Sequence, residues 1–226
     1  MRSIIVGGII VGTLVLASRS ALATEEPTGV EVGLRTGYTL PMGDAMGQTT
    51  GVKSDTTMSD VISGGIPIWI DAGYRLTPNV YVGGFFQYGI LFINTDHETY
   101  CKAPGISCSA NDIMFGVNAH YHFMPTATFD PWAGIGVGYE IFNFSMSGNG
   151  TATSTSSLNG FQFVNVQLGG DYKPTPQLGV GPFVMFSLNQ YGNCSVTGGS
   201  NCSIAQTALH EFLTFGIRGE YDIPVN

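Results

Sequence analysis

The stretch "GVEVGLRTGYTL", residues 29–40, alternates between two kinds of side chain. Val30, Val32, Leu34, Tyr38 and Leu40 share one parity, and Glu31, Gly33, Arg35, Gly37 and Thr39 share the other. Successive side chains of a β-strand point to opposite faces, so this is a strand with one apolar and one polar side. Which side is wet decides the fold. A soluble barrel turns its apolar side inward. A membrane barrel turns it outward to lipid and lines the lumen with polar groups.

The composition favours the second arrangement. Charged residues make up 11% of the 226, against about 25% in ordinary soluble domains. Too few charges are present to coat a soluble all-β domain. No internal apolar run reaches the ~20 residues of a transmembrane helix.

The N-terminus reads as an export signal. Arg2 precedes the apolar run "IIVGGIIVGTLVLA" (residues 4–17), and "ALA" at 21–23 precedes Thr24. A basic start, a short apolar core and an A-x-A site make a cleavable secretory signal peptide over 1–23. The mature domain is then 24–226. Cleavage removes Arg2 and Arg19 and takes the formal charge from −8 to −10. A basic nucleic-acid footprint is therefore absent.

Four cysteines fall into two local pairs, Cys101 with Cys108 and Cys194 with Cys202. In an exported chain these are expected as disulfides, each closing a short loop. The spacings are not those of a zinc site, and no histidine lies suitably close.

A repeat organises the chain. "DAGYRLTP" ends at Pro78, "NAHYHFMP" at Pro125, "GGDYKPTP" at Pro176 and "RGEYDIP" at Pro224. The tyrosines Tyr74, Tyr121, Tyr172 and Tyr221 are 47, 51 and 49 residues apart. Each period holds two strands rather than the four of a propeller blade, so the unit is a β-hairpin. The eight strands are expected near 29–40, 64–76, 79–94, 112–124, 130–144, 161–173, 178–190 and 207–223. Ile66, Ile68, Ile70, Ala72, Tyr74 and Leu76 share one parity of the second strand. Ile113, Phe115, Val117, Ala119, Tyr121 and Phe123 do so in the fourth, and Leu213, Phe215, Ile217, Tyr221 and Ile223 in the eighth. The third, "VYVGGFFQYGILFI", is apolar on both sides, and its faces are left unassigned.

The connections alternate in length. "TPN", "PTATF" and "PTPQ" are tight, whereas the others are long and polar, as in "SGNGTATSTSSLNG". Short turns at one end and long loops at the other are the architecture of outer-membrane barrels. The four tyrosines fall on the apolar parity at the short-turn end. Rings at one height form an aromatic girdle at a lipid–water boundary, which places the apolar face outside. The expected fold is all-β: an eight-stranded antiparallel up-and-down transmembrane barrel.

At this point the chain resembles the small eight-stranded bacterial outer-membrane barrels, the OmpA/OmpX/OmpW-like group of the porin-like superfamily. "DPWAGIGVGYEIF" (130–142) looks like the group's middle strand, and the resemblance covers about residues 27–226. It implies a location in the bacterial outer membrane and contact with its lipid. A monomer is expected. Family members often end in an aromatic assembly signal, whereas this chain ends "DIPVN", with Tyr221 and Ile223 a few residues earlier.

Little in the sequence spells catalysis. Gly134, Gly136 and Gly138 form G-x-G-x-G without the helix and βαβ setting of a dinucleotide site, and read as small lumen residues. His120 and His122, two apart on the lumen parity, could ligate a metal but read first as filling of a polar lumen. His210 and Glu211 open the last strand without a serine partner at fixed spacing. No enzyme activity, cofactor or metal is expected, and a lipid-modifying activity is the lesser alternative. Glu31, Arg35, Asp71, Arg75, Asp171, Lys173, Arg218, Glu220 and Asp222 share the inward parity toward the short-turn end. Unpaired buried charges are costly and paired ones tolerable, so these nine are expected to form a salt-bridged plug. Arg35 is expected to meet Asp71 and Arg75 of the second strand, and Arg218 and Glu220 of the eighth, at one level. The leading function is structural or in surface interaction through the long loops. The alternative is a narrow channel, or a carrier of a small and apolar ligand.

Overall fold

A computed structural model describes residues 28–45, 57–148, 151–197, 202, 204 and 206–224. The expected signal peptide and the cut before Thr24 lie outside them. No described helix is long and apolar enough to cross a membrane; the chain is built of strands.

Eight antiparallel strands close in chain order: β1 (Gly29–Gly43), β2 (Ile62–Thr77), β3 (Val80–Ile93), β4 (Ile106–His122), β5 (Phe129–Gly148), β6 (Thr151–Tyr172), β7 (Leu178–Thr197) and β8 (Leu209–Pro224). β1 seals the barrel against β8, with Val30 opposite Ile223 and Thr39 opposite Thr214. Closure pairs every strand on both sides and leaves no edge to be satisfied in lipid.

The opening stretch resolves as its alternation requires. Glu31 and Arg35 are 1% exposed and point into the bore, while Val32 and Leu34 are 38% and 57% exposed on the outside. Outside, Ile70, Val117, Ile135, Phe161, Leu168 and Ile217 are exposed apolar side chains of the kind a lipid band needs. Tyr74, Tyr121, Tyr172 and Tyr221 all face outward at the short-turn end.

Two features depart from the expected strands. The first is length. β4 begins at Ile106 rather than 112, and β7 runs to Thr197 rather than 190. The Ser/Thr-rich segment read as a loop is strand on both arms of the β5–β6 hairpin. Its residues pair through Ser145–Thr155 and Asn143–Ser157 side-chain hydrogen bonds of 2.9 and 2.6 Å. Polar composition signals a loop only when no neighbour takes the backbone groups. Here β4 and β7 flank the hairpin, and threonine suits a strand. The second feature is a β-bulge in β6, between Gln162 and Val164 against β7. It resets the strand's parity. Phe161, Phe163, Val166 and Leu168 consequently all face out, and Gln162, Asn165 and Gln167 all face in.

At the long-loop end a short helix, α1 (Met58–Val61), lies before β2. Met58 and Ile62 are 1% and 0% exposed and belong to the apolar cluster inside the barrel. The Thr57 N–H donates to the Asp60 carboxylate at 2.9 Å and holds that carboxyl below its ordinary range.

Candidate functional site in the lumen

The bore of the short-turn half is filled by charge. All nine residues of the expected plug face inward and are 9% exposed or less. Arg35 grips Asp71 with two parallel hydrogen bonds, Nε to Oδ2 and Nη2 to Oδ1, each 2.7 Å. Asn118 Nδ2 donates to the same carboxylate at 2.8 Å. Arg35 Nη1 donates to Gln167 Oε1, and Nη2 lies 3.3 Å from His120 Nε2.

Glu31 is shared by two arginines. Arg75 Nη2 donates to its Oε2 at 2.6 Å, and Arg218 Nη2 to its Oε1 at 2.6 Å. Arg218 also donates to Glu220 Oε2 at 2.5 Å and lies 3.5 Å from Asp171 Oδ2. Arg75 is 3.3 Å from Asp222. Lys173 Nζ is 3.1 Å from Asp130 and 3.8 Å from Glu220. Bidentate, charge-assisted contacts of this kind are the strong class of hydrogen bond.

The groups expected to meet at one level form two sets of partners. Arg35 does not share the acids of Arg218, although the two residues are directly opposed across β1 and β8. Like charges placed side by side repel, and each arginine turns to different carboxylates. Aromatic faces hold them apart: Arg35 lies 5.1 Å from the Trp69 ring and Arg218 4.5 Å from Trp132. Cation–π contacts in a dry interior add to such positioning.

The sequence reading passed over several members of this network. Asp130 bonds His122 Nδ1 at 2.8 Å and accepts from the Met124 N–H at 3.1 Å. Its inward parity, shared with Trp132 and Gly134, was the available signal. Gln162, Asn165 and Gln167 form a hydrogen-bonded chain with 2.6 Å links, but the bulge that aligns them carries no clear sequence mark. Gly134 and Gly136 are small for a steric reason. A Cβ at Gly134 would stand 2.5 Å from His120, and one at Gly136 2.7 Å from Asn165.

The long-loop half is filled by apolar packing. Met114, Met185, Phe142, Phe212 and Leu91 form its apolar filling. Within it Glu140 accepts from the Tyr191 hydroxyl at 2.5 Å and contacts His210 Nε2 at 3.0 Å. His210 stacks on Tyr191 with ring centroids 4.1 Å apart. His210 was singled out from sequence; Glu140 and Tyr191 were not, and Glu211 lies on the opposite parity. A cavity of about 10 Å³ beside Asp112, Met114, Met185, Ser187, Phe212 and Thr214 has room for one water.

The two cysteine pairs form disulfides, Cys101–Cys108 and Cys194–Cys202, with Cα–Cα distances of 5.7 and 5.5 Å. Cys108 and Cys194 sit in the long-loop ends of β4 and β7.

A closed eight-stranded barrel with an apolar exterior and a charged bore defines a class of integral membrane protein. The model of the outer membrane protein beta-barrel domain matches residues 9–182, and the chain belongs to that family. It is a protein of the bacterial outer membrane, and in this family the short turns face the periplasm. No curated protein matches it by sequence. Among solved structures, Neisserial surface protein A (NspA) is 18% identical, with a TM-score of 0.51, over 86% of this chain and 97% of that one. OprG from Pseudomonas aeruginosa is 14% identical, with a TM-score of 0.47, over 87% and 98%. Ail, the attachment invasion locus protein of Yersinia pestis, is 12% identical, with a TM-score of 0.41, over 85% and 99%. Identities this low speak of the fold alone. The role has to be argued from the chain's own residues.

Proposed function

We propose that this barrel is a closed scaffold whose working part is the outer end, where extended strands and disulfide-tied segments are held at the cell surface. The observation that carries this reading is the filled bore. Every strand sends a buried side chain into it: Arg35, Trp69, Phe85, Asn118, Trp132, Gln167, Phe183 and Arg218, in strand order. An eight-stranded barrel is just wide enough for its own side chains or for one small ligand. The polar β5–β6 hairpin supports the surface reading. Its side-chain ladder runs from Asn111 through Asn143 to Ser157, with bonds of 3.0 and 2.6 Å. It stiffens a projection that an unpaired loop would leave loose.

Two measurements test the proposal together. An epitope inserted after Gly148 is labelled on intact cells. Proteoliposomes of the mature barrel take up no sugars or small apolar solutes above protein-free vesicles. Uptake that tracks barrel content contradicts the scaffold reading and favours the carrier.

A further inference from the structure

The buried network around His122 is unbalanced in charge. Six carboxylates, those of Glu31, Asp71, Asp130, Asp171, Glu220 and Asp222, stand against four cations, Arg35, Arg75, Lys173 and Arg218. All ten residues are 9% exposed or less. Two surplus negative charges shielded from water call for a counter-charge.

We propose that the periplasmic half of the lumen binds one divalent transition-metal cation through His122, Asp171 and Glu220. One donor atom from each of the three lies within 4.8 Å of the others. Each residue also has a buried atom without a hydrogen-bond partner: His122 Nε2, Asp171 Oδ1 and Glu220 Oε1. Lys173 Nζ stands 3.8 Å from that last oxygen. The remaining atoms are engaged elsewhere. His122 Nδ1 contacts Asp130 at 2.8 Å, and Arg218 takes Glu220 Oε2 at 2.5 Å and Asp171 Oδ2 at 3.5 Å. Buried polar atoms normally find partners, and these three belong to residues that the fold gathers in one patch.

The surroundings suit an ion. A ligating histidine usually donates its second ring N–H to a carboxylate, which fixes the ring and leaves the other nitrogen's lone pair for the metal. The His122–Asp130 contact has that form. Gly179 leaves space at the carboxylate, since a Cβ there would stand 2.7 Å from Glu220 Oε1. One imidazole nitrogen with two carboxylate oxygens suits Zn²⁺, Co²⁺ or Mn²⁺.

A second grouping, Glu31, His120 and His122, overlaps this one. It is the poorer site, because arginines occupy both Glu31 oxygens. The bound ion would tie β4, β8 and the end of β6 together. Lys173 and Asp222, the most exposed members at 9% and 8%, mark the side from which it would enter.

The test titrates Co²⁺ into the tag-free mature barrel, refolded in detergent and stripped with chelator. One equivalent should bind, with visible d–d absorption, and be displaced by Zn²⁺. Proton NMR of the Co²⁺ form should show one hyperfine-shifted imidazole N–H, the proton between His122 and Asp130. Asp171→Asn should weaken Co²⁺ binding at least ~10-fold, and Asp130→Asn by about 10–100-fold. Glu140→Gln, in the other half of the bore, should leave it unchanged. A wild-type barrel that takes up neither Co²⁺ nor Zn²⁺ overturns the proposal, and the surplus charge is then carried as protons. Unweakened binding in a folded Asp171→Asn barrel, or two shifted imidazole N–H signals, also overturns it. If a variant does not refold, the wild-type stoichiometry and the number of shifted N–H signals decide.

Discussion

The two halves of the bore are filled by different physics. Toward the short turns, arginines and carboxylates interlock: Arg218 alone contacts Glu31, Glu220 and Asp171. Toward the long loops, Met114, Met185, Phe142 and Phe212 pack as they would in a soluble core, around the small Glu140–Tyr191–His210 group. Both fill the bore, but they fail differently. A buried ion pair adds little net stability over an apolar filling, yet removing one partner is severe, because a charge is stranded. An apolar core loses stability in proportion to the volume removed.

The largest effect is therefore expected in the ionic half. Arg218→Ala leaves Glu31, Glu220 and Asp171 facing one another with a cation removed. It should lower the unfolding free energy by ~3–5 kcal/mol, somewhat less where water enters, as read from urea unfolding of the refolded barrel in lipid. Arg35→Ala should cost less than Arg218→Ala, since Asp71 keeps its bond from Asn118. The reverse order would mean that the two arginines share one network after all.

The lipid face gives the next largest effect. Val117→Lys places a charge on a side chain 58% exposed near the middle of β4, and should cost ~2–4 kcal/mol in bilayers. Asn118→Lys, one residue on, points at Asp71 inside the bore and should be better tolerated. A Met185→Ala change in the packed half should cost about 2–3 kcal/mol, the low end for such truncations, because the site already borders a small cavity. If it matched Arg218→Ala, the contrast between the halves would be lost. Reduction of both disulfides should do least, about 2 kcal/mol or below. Each closes a short loop outside the region where the eight strands pair all round, and circular dichroism should show the barrel intact.

How far the sequence carries this account varies along the chain. Residues 29–40 declare their faces, because Glu31 and Arg35 cannot lie in lipid and Leu34 gains nothing from a charged bore. The nine inward charges were legible for the same reason. β3 was not. Tyr81, Phe85 and Leu91 face in while Val82, Phe86 and Ile90 face out, because a filled lumen takes aromatic and aliphatic side chains as readily as lipid does. Parity loses its meaning when both environments are apolar. The Ser/Thr-rich arms of β5 and β6 misled in the opposite way, reading as loop where cross-strand pairing makes strand. The bulge at Phe163 and the Asp130–His122 contact depend on neighbouring strands, which a linear pattern does not name. Location in the outer membrane, by contrast, followed from the alternation of short and long connections, and the family match agrees with it.

The most direct test of the closed bore is single-channel recording of the mature barrel in planar bilayers, beside Arg218→Ala. The wild type should insert and stay electrically silent. The variant, with a cation removed from the plug and its acids kept, should pass cations. A steady wild-type conductance, unchanged by Arg218→Ala, would contradict the account, because the charges would then line an open pore rather than fill it.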